Sequence, residues 1–265
     1  MVIINRMLFN NIKFAIKSRR FWWYTATSRT RARFARTTLG SFWLGFSNLL
    51  SIVTLGIVYG TVFSVANFKS YFLYLGIGLV IWNSICASIS NAPDLFAHNS
   101  QNIKNLNLNL LFYTLEEWAF QIQTFFQSFS LVFLTFLFFE KIIIINLLTS
   151  SIIPFINLLL FLYWFPLLIG LIGIRYTDFV QLVPIILQLV FLTSPILYKK
   201  ENLGGIAWIT DYNLIYKILD PFRTSIIEGK IDYRVSLLTL LINLLGIYIS
   251  FFLLNRYTKK LPFLV

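Results

Sequence analysis

An all-α integral membrane protein with six transmembrane helices, preceded by an N-terminal interfacial amphipathic helix, is the fold class this sequence predicts. Three observations predict it. Of the 265 residues, 58% are hydrophobic and 12% charged, with a mean hydropathy of +0.76, which is too apolar for a soluble domain. Uncharged runs long enough to cross a ~30 Å hydrocarbon layer recur six times along the chain. The charge is also sorted: 22 Lys+Arg stand against 10 Asp+Glu, no acidic residue precedes Asp94, and Arg29, Arg31, Arg33 and Arg36 come just before a stretch without charge from Thr37 to Phe68.

From the N-terminus, Leu8, Ile12 and Ile16 recur at four-residue steps while Asn10, Lys13, Lys17 and Arg20 form a separate polar stripe. That pattern predicts an amphipathic helix lying in the membrane interface over Leu8 to Arg20. Phe21, Trp22, Trp23 and Tyr24 follow, a ring cluster suited to the headgroup level. Residues 1–36 lack the short apolar core and small-residue cleavage site of a signal peptide, and arginine clusters are retained on the cytoplasmic side. The chain is therefore expected to start as a cytoplasmic interfacial region.

The six predicted spans are Phe42 to Val65, Tyr71 to Ser90, Trp118 to Phe139, Ile152 to Ile172, Phe179 to Tyr198 and Ser236 to Asn255. An external turn is placed at Glu140 to Asn146, before a long uncharged stretch in which Pro154 can start or kink a helix. An even count, closed by Arg256, Lys259 and Lys260, predicts that both termini are cytoplasmic. Two connections are long. The first, 91–117, is expected on the cytoplasmic side and carries Asp94, His98, Lys104, Glu116 and Glu117, a place for a soluble partner to dock. The second, 199–235, is expected outside. There Ile215, Ile218, Leu219, Phe222 and Ile226 keep helical spacing between Gly204 and Gly229, predicting short helical segments that dip back toward the membrane. With no internal repeat or linker, 1–265 reads as a single transmembrane domain.

Much chemistry is missing from this sequence. The six runs contain no Asp, Glu, Lys, Arg or His, so a proton relay has no candidate near the bilayer centre. His98 is the single histidine and Cys86 the single cysteine; neither a metal site nor a catalytic residue is expected. No G-x-x-x-x-G-K-[ST] occurs, and any ATP must be used by another chain. The basic excess reads as topogenic, with contacts to membrane lipids, and not as a nucleic-acid footprint. Aromatic residues make up 18% of the chain; their faces can stack on sugars, although most must face lipid or fill helix contacts.

Two polar stripes interrupt the apolar runs. Ser47, Ser51, Thr54 and Thr61 share one face of the first span with Asn48 beside it, and Gln181, Pro184, Gln188, Phe191 and Pro195 share one face of the fifth. Amides facing hydrocarbon have no partners, so these faces must meet protein, water or substrate. Asn48, Ser51, Thr54, Tyr59, Gln181, Gln188 and Phe191 are the pathway candidates. Helix packing through small residues explains the serine and threonine stripe equally well.

Four stretches carry a resemblance. Arg31 to Leu44, RARFARTTLGSFWL, resembles the basic-Leu-Gly-x-x-Trp motif of membrane permease subunits in ATP-binding-cassette exporters of O-antigen, capsule and teichoic-acid polysaccharides. GIRYTDF at Gly173 to Phe179, LTSPILY at Leu192 to Tyr198 and ITDYNLIYKILDPFRTSIIEG at Ile209 to Gly229 agree with that family in order and spacing. One departure is Leu214 after Asn213, where family members commonly have Pro. The resemblance implies a homodimer of six-span subunits in the cytoplasmic (inner) membrane, with a separate ATPase subunit holding ATP and Mg on the cytoplasmic face, exporting a lipid-linked polysaccharide. It casts Arg29, Arg31, Arg33, Arg36, Leu39, Gly40 and Trp43 as the substrate entrance, where Arg suits bidentate phosphate contacts, though simple topogenesis explains the arginines equally well. Lys104, Glu116 and Glu117 become the coupling element toward the ATPase, and 199–235 the exit rim. Two other readings stay open: a membrane-embedded enzyme of glycan or lipid assembly, drawing on Glu201, Asp211, Asp220, Glu228 and Asp232, and a drug or lipid exporter of the same superfamily.

Overall fold

The computed structural model describes residues 13–106 and 108–258, and these are all-helical, with no strand among them. The first half of the predicted amphipathic helix, with Leu8, Asn10 and Ile12, lies outside the described residues, as do Lys259 and Lys260; residues 13–17 are helical. After Ser18 the chain continues as α1 (Arg19–Phe34), so the ring cluster and Arg29, Arg31 and Arg33 share one helix. Then come α2 (Phe42–Val62), α3 (Phe68–Ser90), α4 (Leu95–His98), α5 (Ser100–Asn105), α6 (Leu110–Leu137), α7 (Ile142–Thr149), α8 (Ile152–Gly173) and α9 (Phe179–Thr193). A 3-10 segment (Lys200–Ile206), α10 (Ile209–Tyr212), α11 (Leu214–Glu228) and α12 (Tyr233–Tyr257) complete the described chain.

Among the described residues five helices are long and apolar enough to cross a membrane: α2, α3, α6, α8 and α12. Four predicted boundaries shift. The third span starts at Leu110 and not at Trp118, because Asn109 caps it by accepting the Leu111 N–H at 3.0 Å and Leu110 to Leu115 are buried. The connection from residue 91 consequently stops short of 117, and Glu116 and Glu117 belong to a 28-residue helix. The turn predicted at Glu140 to Asn146 is narrower, since α7 starts at Ile142; Ile143 is buried there and the Asn146 side chain donates to the Ile226 carbonyl at 3.0 Å. The fifth predicted span, Phe179 to Tyr198, is helical for only 15 residues, about 22 Å at 1.5 Å per residue and short of the hydrocarbon thickness.

Side chains from distant parts of the chain account for that last break. Pro195 has no N–H and biases Ser194 toward extended backbone, which Ser194 adopts. Three carbonyls just past the break meet distant side chains: Tyr71 Oη donates to Leu197 O at 2.6 Å, Tyr74 Oη lies between Pro195 O at 3.0 Å and Tyr198 O at 3.1 Å with one proton to share, and Arg223 Nη1 donates to Pro195 O at 2.9 Å. Non-helical backbone at membrane depth is tolerated where protein groups satisfy it in this way.

The centre of the molecule is α3, which packs on α2, α6, α8, α9 and α11 and contributes an unbroken buried stretch from Leu75 to Trp82. Against it lies α11, whose Ile215, Ile218, Leu219, Phe222 and Ile226 are all buried, as their spacing predicts. Asn213 starts α11, its side chain accepting the Tyr216 N–H at 3.1 Å, and that cap does not need a proline at Leu214. Arg223 is fully buried on the same face, paired with Asp220 and stacked 3.7 Å from the Tyr74 ring centroid. The most extensive helix contact joins α8 and α12. Asn157 donates to Ser236 O and Thr239 Oγ1 at 2.8 and 2.9 Å, and Trp164 Nε1 to Asn243 Oδ1 at 2.8 Å. Gly246 lies flat against the Trp164 indole, leaving no room for a Cβ.

Candidate functional site

The two polar stripes meet across α3. Ser51 and Leu55 of α2 form one bank of a groove, Leu79, Trp82, Asn83 and Cys86 of α3 its floor, and Pro184, Leu187, Gln188 and Phe191 of α9 the opposite bank. The groove has a volume of about 390 Å³. Each bank follows from helical spacing: residues three or four apart fall on one face, and Pro184, Gln188 and Phe191 do so along α9. The floor comes from α3, whose only exposed side chain between Tyr71 and Ser84 is Asn83.

Inside the groove the polar groups divide into two sets. Asn83 Nδ2 donates to Asn48 Oδ1 at 2.6 Å, and Asn48 Nδ2 in turn donates to Ser128 Oγ of α6 at 2.6 Å. This chain ties three helices together and makes Asn48 a packing residue. Ser51 Oγ donates only to its own helix, to Ser47 O at 3.0 Å. Gln188 is exposed and makes no hydrogen bond among the described residues. Its amide has four hydrogen-bonding sites and cannot remain so against hydrocarbon. Phe191 rests against Trp82, ring centroids 5.4 Å apart. Thr54 and Gln181 are exposed beside the groove without lining it, and Tyr59 stacks on Phe63 at 5.8 Å instead.

A second cavity, of about 700 Å³, shares Ser90 with the groove as a lining residue. Arg29, Arg33, Asn91, Asp94, His98 and Glu117 stand around it, with Val180 of α9. Arg29 joins two groups that the sequence assigned to different roles. Its Nη1 lies 2.6 Å from Glu117 Oε2 and 3.5 Å from Glu116 Oε2, and its guanidinium stacks 4.2 Å from the Phe120 centroid. Burial opposes the charge on Arg29, but Glu117 and Glu116 outweigh it and the pKa is raised. Gln121 holds Glu117 from the other side, Nε2 to Oε1 at 2.7 Å. Further along, Gln123 bridges Thr27 and Thr30 at 3.0 and 3.2 Å, and Ala26 meets Ala119 where both are fully buried. The acidic pair thus anchors α1 to α6.

The remaining entrance candidates are spread out. Arg31 and Arg36 are exposed, Arg33 is exposed with its guanidinium 5.5 Å from the Phe34 ring, and Trp43 meets Phe46 edge-on. Gly40 has φ +57° with open space around it, a left-handed turn that glycine adopts without strain. Lys104 is exposed on α5 and pairs with no carboxylate among the described residues. Among those residues no group of three or more His, Cys, Asp or Glu could hold a metal.

Sequence reasoning missed Asn83 and Arg223. Asn83 carried a usable signal, an amide in the middle of an apolar run. Arg223 did too, since it falls four residues after Leu219 on the apolar stripe of α11. No family model matches this chain, and no curated protein matches it.

Proposed function

We propose that this chain is the transmembrane subunit of an ATP-driven exporter that moves a lipid-linked polysaccharide across the cytoplasmic membrane, working as a homodimer with a separate ATP-binding-cassette subunit. One observation carries the reading: Ser51 on α2 and Gln188 on α9 line opposite banks of one groove across α3, and a cavity lined by Arg29 and Arg33 adjoins it at Ser90. A phosphate-bearing lipid end suits Arg29 and Arg33, and a hydroxyl-rich chain suits Gln188, Ser51 and the Trp82 and Phe191 rings. Only 17% of the most apolar window of α2 is buried within one chain, which leaves its Ser51 face free for a second copy that closes the groove into a path. In this reading α9, together with the backbone after Thr193, makes the fifth of six crossings. Both termini are cytoplasmic, and 199–235 forms the exit rim.

Of the five loop carboxylates open to membrane-embedded enzyme chemistry, four are engaged within the fold, and Glu201 alone makes no ion pair among the described residues. Asp220 pairs with Arg223, Asp211 with Lys200 at 2.7 Å and Glu228 with Lys230 at 3.5 Å, while Asp232 caps α12. A general acid or base needs a carboxylate free to meet substrate.

The test uses Ser51→Trp and Gln188→Trp in cells that make the glycan and the ATPase. Export should stop while the purified complex keeps its ATP hydrolysis. Undiminished export with both tryptophans in place would reject the groove as the path, and sustained export without any ATPase subunit would reject the exporter class.

A further inference from the structure

At the far side of the α8 and α12 contact, the last turns of the two helices leave a groove of about 320 Å³ that belongs to neither cavity described above. Leu168 and Ile172 form one wall and Ile249 and Leu253 the other; Arg175, Tyr176 and Tyr257 stand at its end, just beyond the helical part of α8. The walls face outward: Ile172 and Ile249 are 40% and 47% exposed. A groove of this composition between two membrane-length helices suits a hydrocarbon chain. Its end is different. Arg175 is exposed, its guanidinium 5.5 Å from the Tyr176 centroid, and it pairs with no carboxylate among the described residues. An arginine at the end of an apolar slot, flanked by two tyrosines whose rings favour the headgroup level, has the chemistry to hold a phosphate bidentately. Basic pockets between transmembrane helices recognise anionic lipid in this way.

We propose that this groove binds an anionic phospholipid, with one acyl chain between α8 and α12 and the phosphate on Arg175. The commitment to lipid over free phosphate rests on the apolar walls, which offer an inorganic anion nothing. The site is independent of the transport path, since it shares no lining residue with either cavity.

The experiment is native mass spectrometry of the full chain purified in detergent and titrated with phosphatidylglycerol or phosphatidylcholine. Wild type should retain one phosphatidylglycerol about fivefold more tightly than phosphatidylcholine, the ratio one basic side chain near an anionic headgroup supplies (~1 kcal/mol). Arg175→Gln should abolish that preference. Ile249→Trp, which fills the slot from an exposed position, should lower retention of both lipids; Ile172→Trp serves the same purpose if the first variant does not assemble. Arg234→Gln, an exposed arginine at the opposite end of α12 from the groove, should behave as wild type. Equal preference in wild type and Arg175→Gln overturns the proposal. So does loss through Arg175→Gln with no effect of either tryptophan, which would mean surface attraction alone, and so does displacement of the lipid by millimolar inorganic phosphate, which would mean a phosphate site. A cysteine at Ile249 that crosslinks efficiently to the same cysteine of a second copy overturns it as well, because protein would then fill the slot.

Discussion

Replacing Arg223 with Met tests how the chain holds its helix break after α9. Methionine keeps most of the volume and removes the charge. The variant loses two charge-assisted hydrogen bonds, Nη1 to Pro195 O at 2.9 Å and Nη2 to Asp220; the first, to a buried carbonyl, is of the class worth about 1.5–3 kcal/mol. It also loses a desolvated cation–π contact at 3.7 Å, worth about 2 kcal/mol. Two features offset these losses: Arg223 Nε is buried without a partner in the native protein, a cost of about 1–3 kcal/mol that the substitution removes, and the Asp220 side chain, 30% exposed, can be rehydrated. The net expectation is a destabilisation of about 2 kcal/mol. Pro195 O keeps Tyr74 Oη as a donor in this variant, and adding Tyr74→Phe takes that donor away. The double variant should therefore lose about 1 kcal/mol more than the sum of the single changes. Reversible unfolding in mixed micelles, followed by tryptophan fluorescence, reads all four corners of the cycle. Additivity within ~0.3 kcal/mol, the behaviour of independent sites, would refute the claim that Arg223 and Tyr74 jointly satisfy the broken backbone.

Charge reversal at Glu116 and Glu117 should release α1 from α6, seen as faster proteolysis between Arg19 and Phe34. Because Arg29 is 41% exposed, the ion pair itself is worth about 1 kcal/mol or less, and Arg29→Glu should partly restore protection in the Glu117→Arg background. Gly246→Ala should destabilise by about 1–3 kcal/mol through overpacking against Trp164, while Gly205→Ala, with nothing within 4 Å, should change the same unfolding midpoint negligibly. Gly40→Ala should cost about 1–2 kcal/mol through its left-handed φ alone, and Gly40→Asn, which tolerates that conformation, should recover part of the loss. Asn48→Leu breaks the chain from Asn83 to Ser128; a loss of roughly 0.6–1.7 kcal/mol is expected, from the average to the maximum for hydrogen bonds between membrane helices.

The sequence by itself determined the membrane class and most of the helices, because length and apolarity are local: about 20 uncharged residues span a bilayer wherever they sit in the chain. It also determined which residues share a face. Ser51 on α2 and Gln188 on α9 were legible as stripes, and Ile215 to Ile226 as the buried side of α11, because the 3.6-residue period assigns a face without reference to any partner. Only the tertiary structure decided what those faces meet. No local pattern connects Glu116 and Glu117 with Arg29, some 87 residues away in the chain, which α1 places against them. The fifth apolar run looked continuous to Tyr198, yet α9 stops at Thr193, because Tyr71 and Tyr74, more than 120 residues earlier, supply the hydrogen bonds that make the break affordable in an apolar setting. Periodicity is a property of one segment. A groove between two helices, a buried guanidinium and a satisfied break depend on how helices cross, and that is set by side-chain packing between residues no local pattern connects.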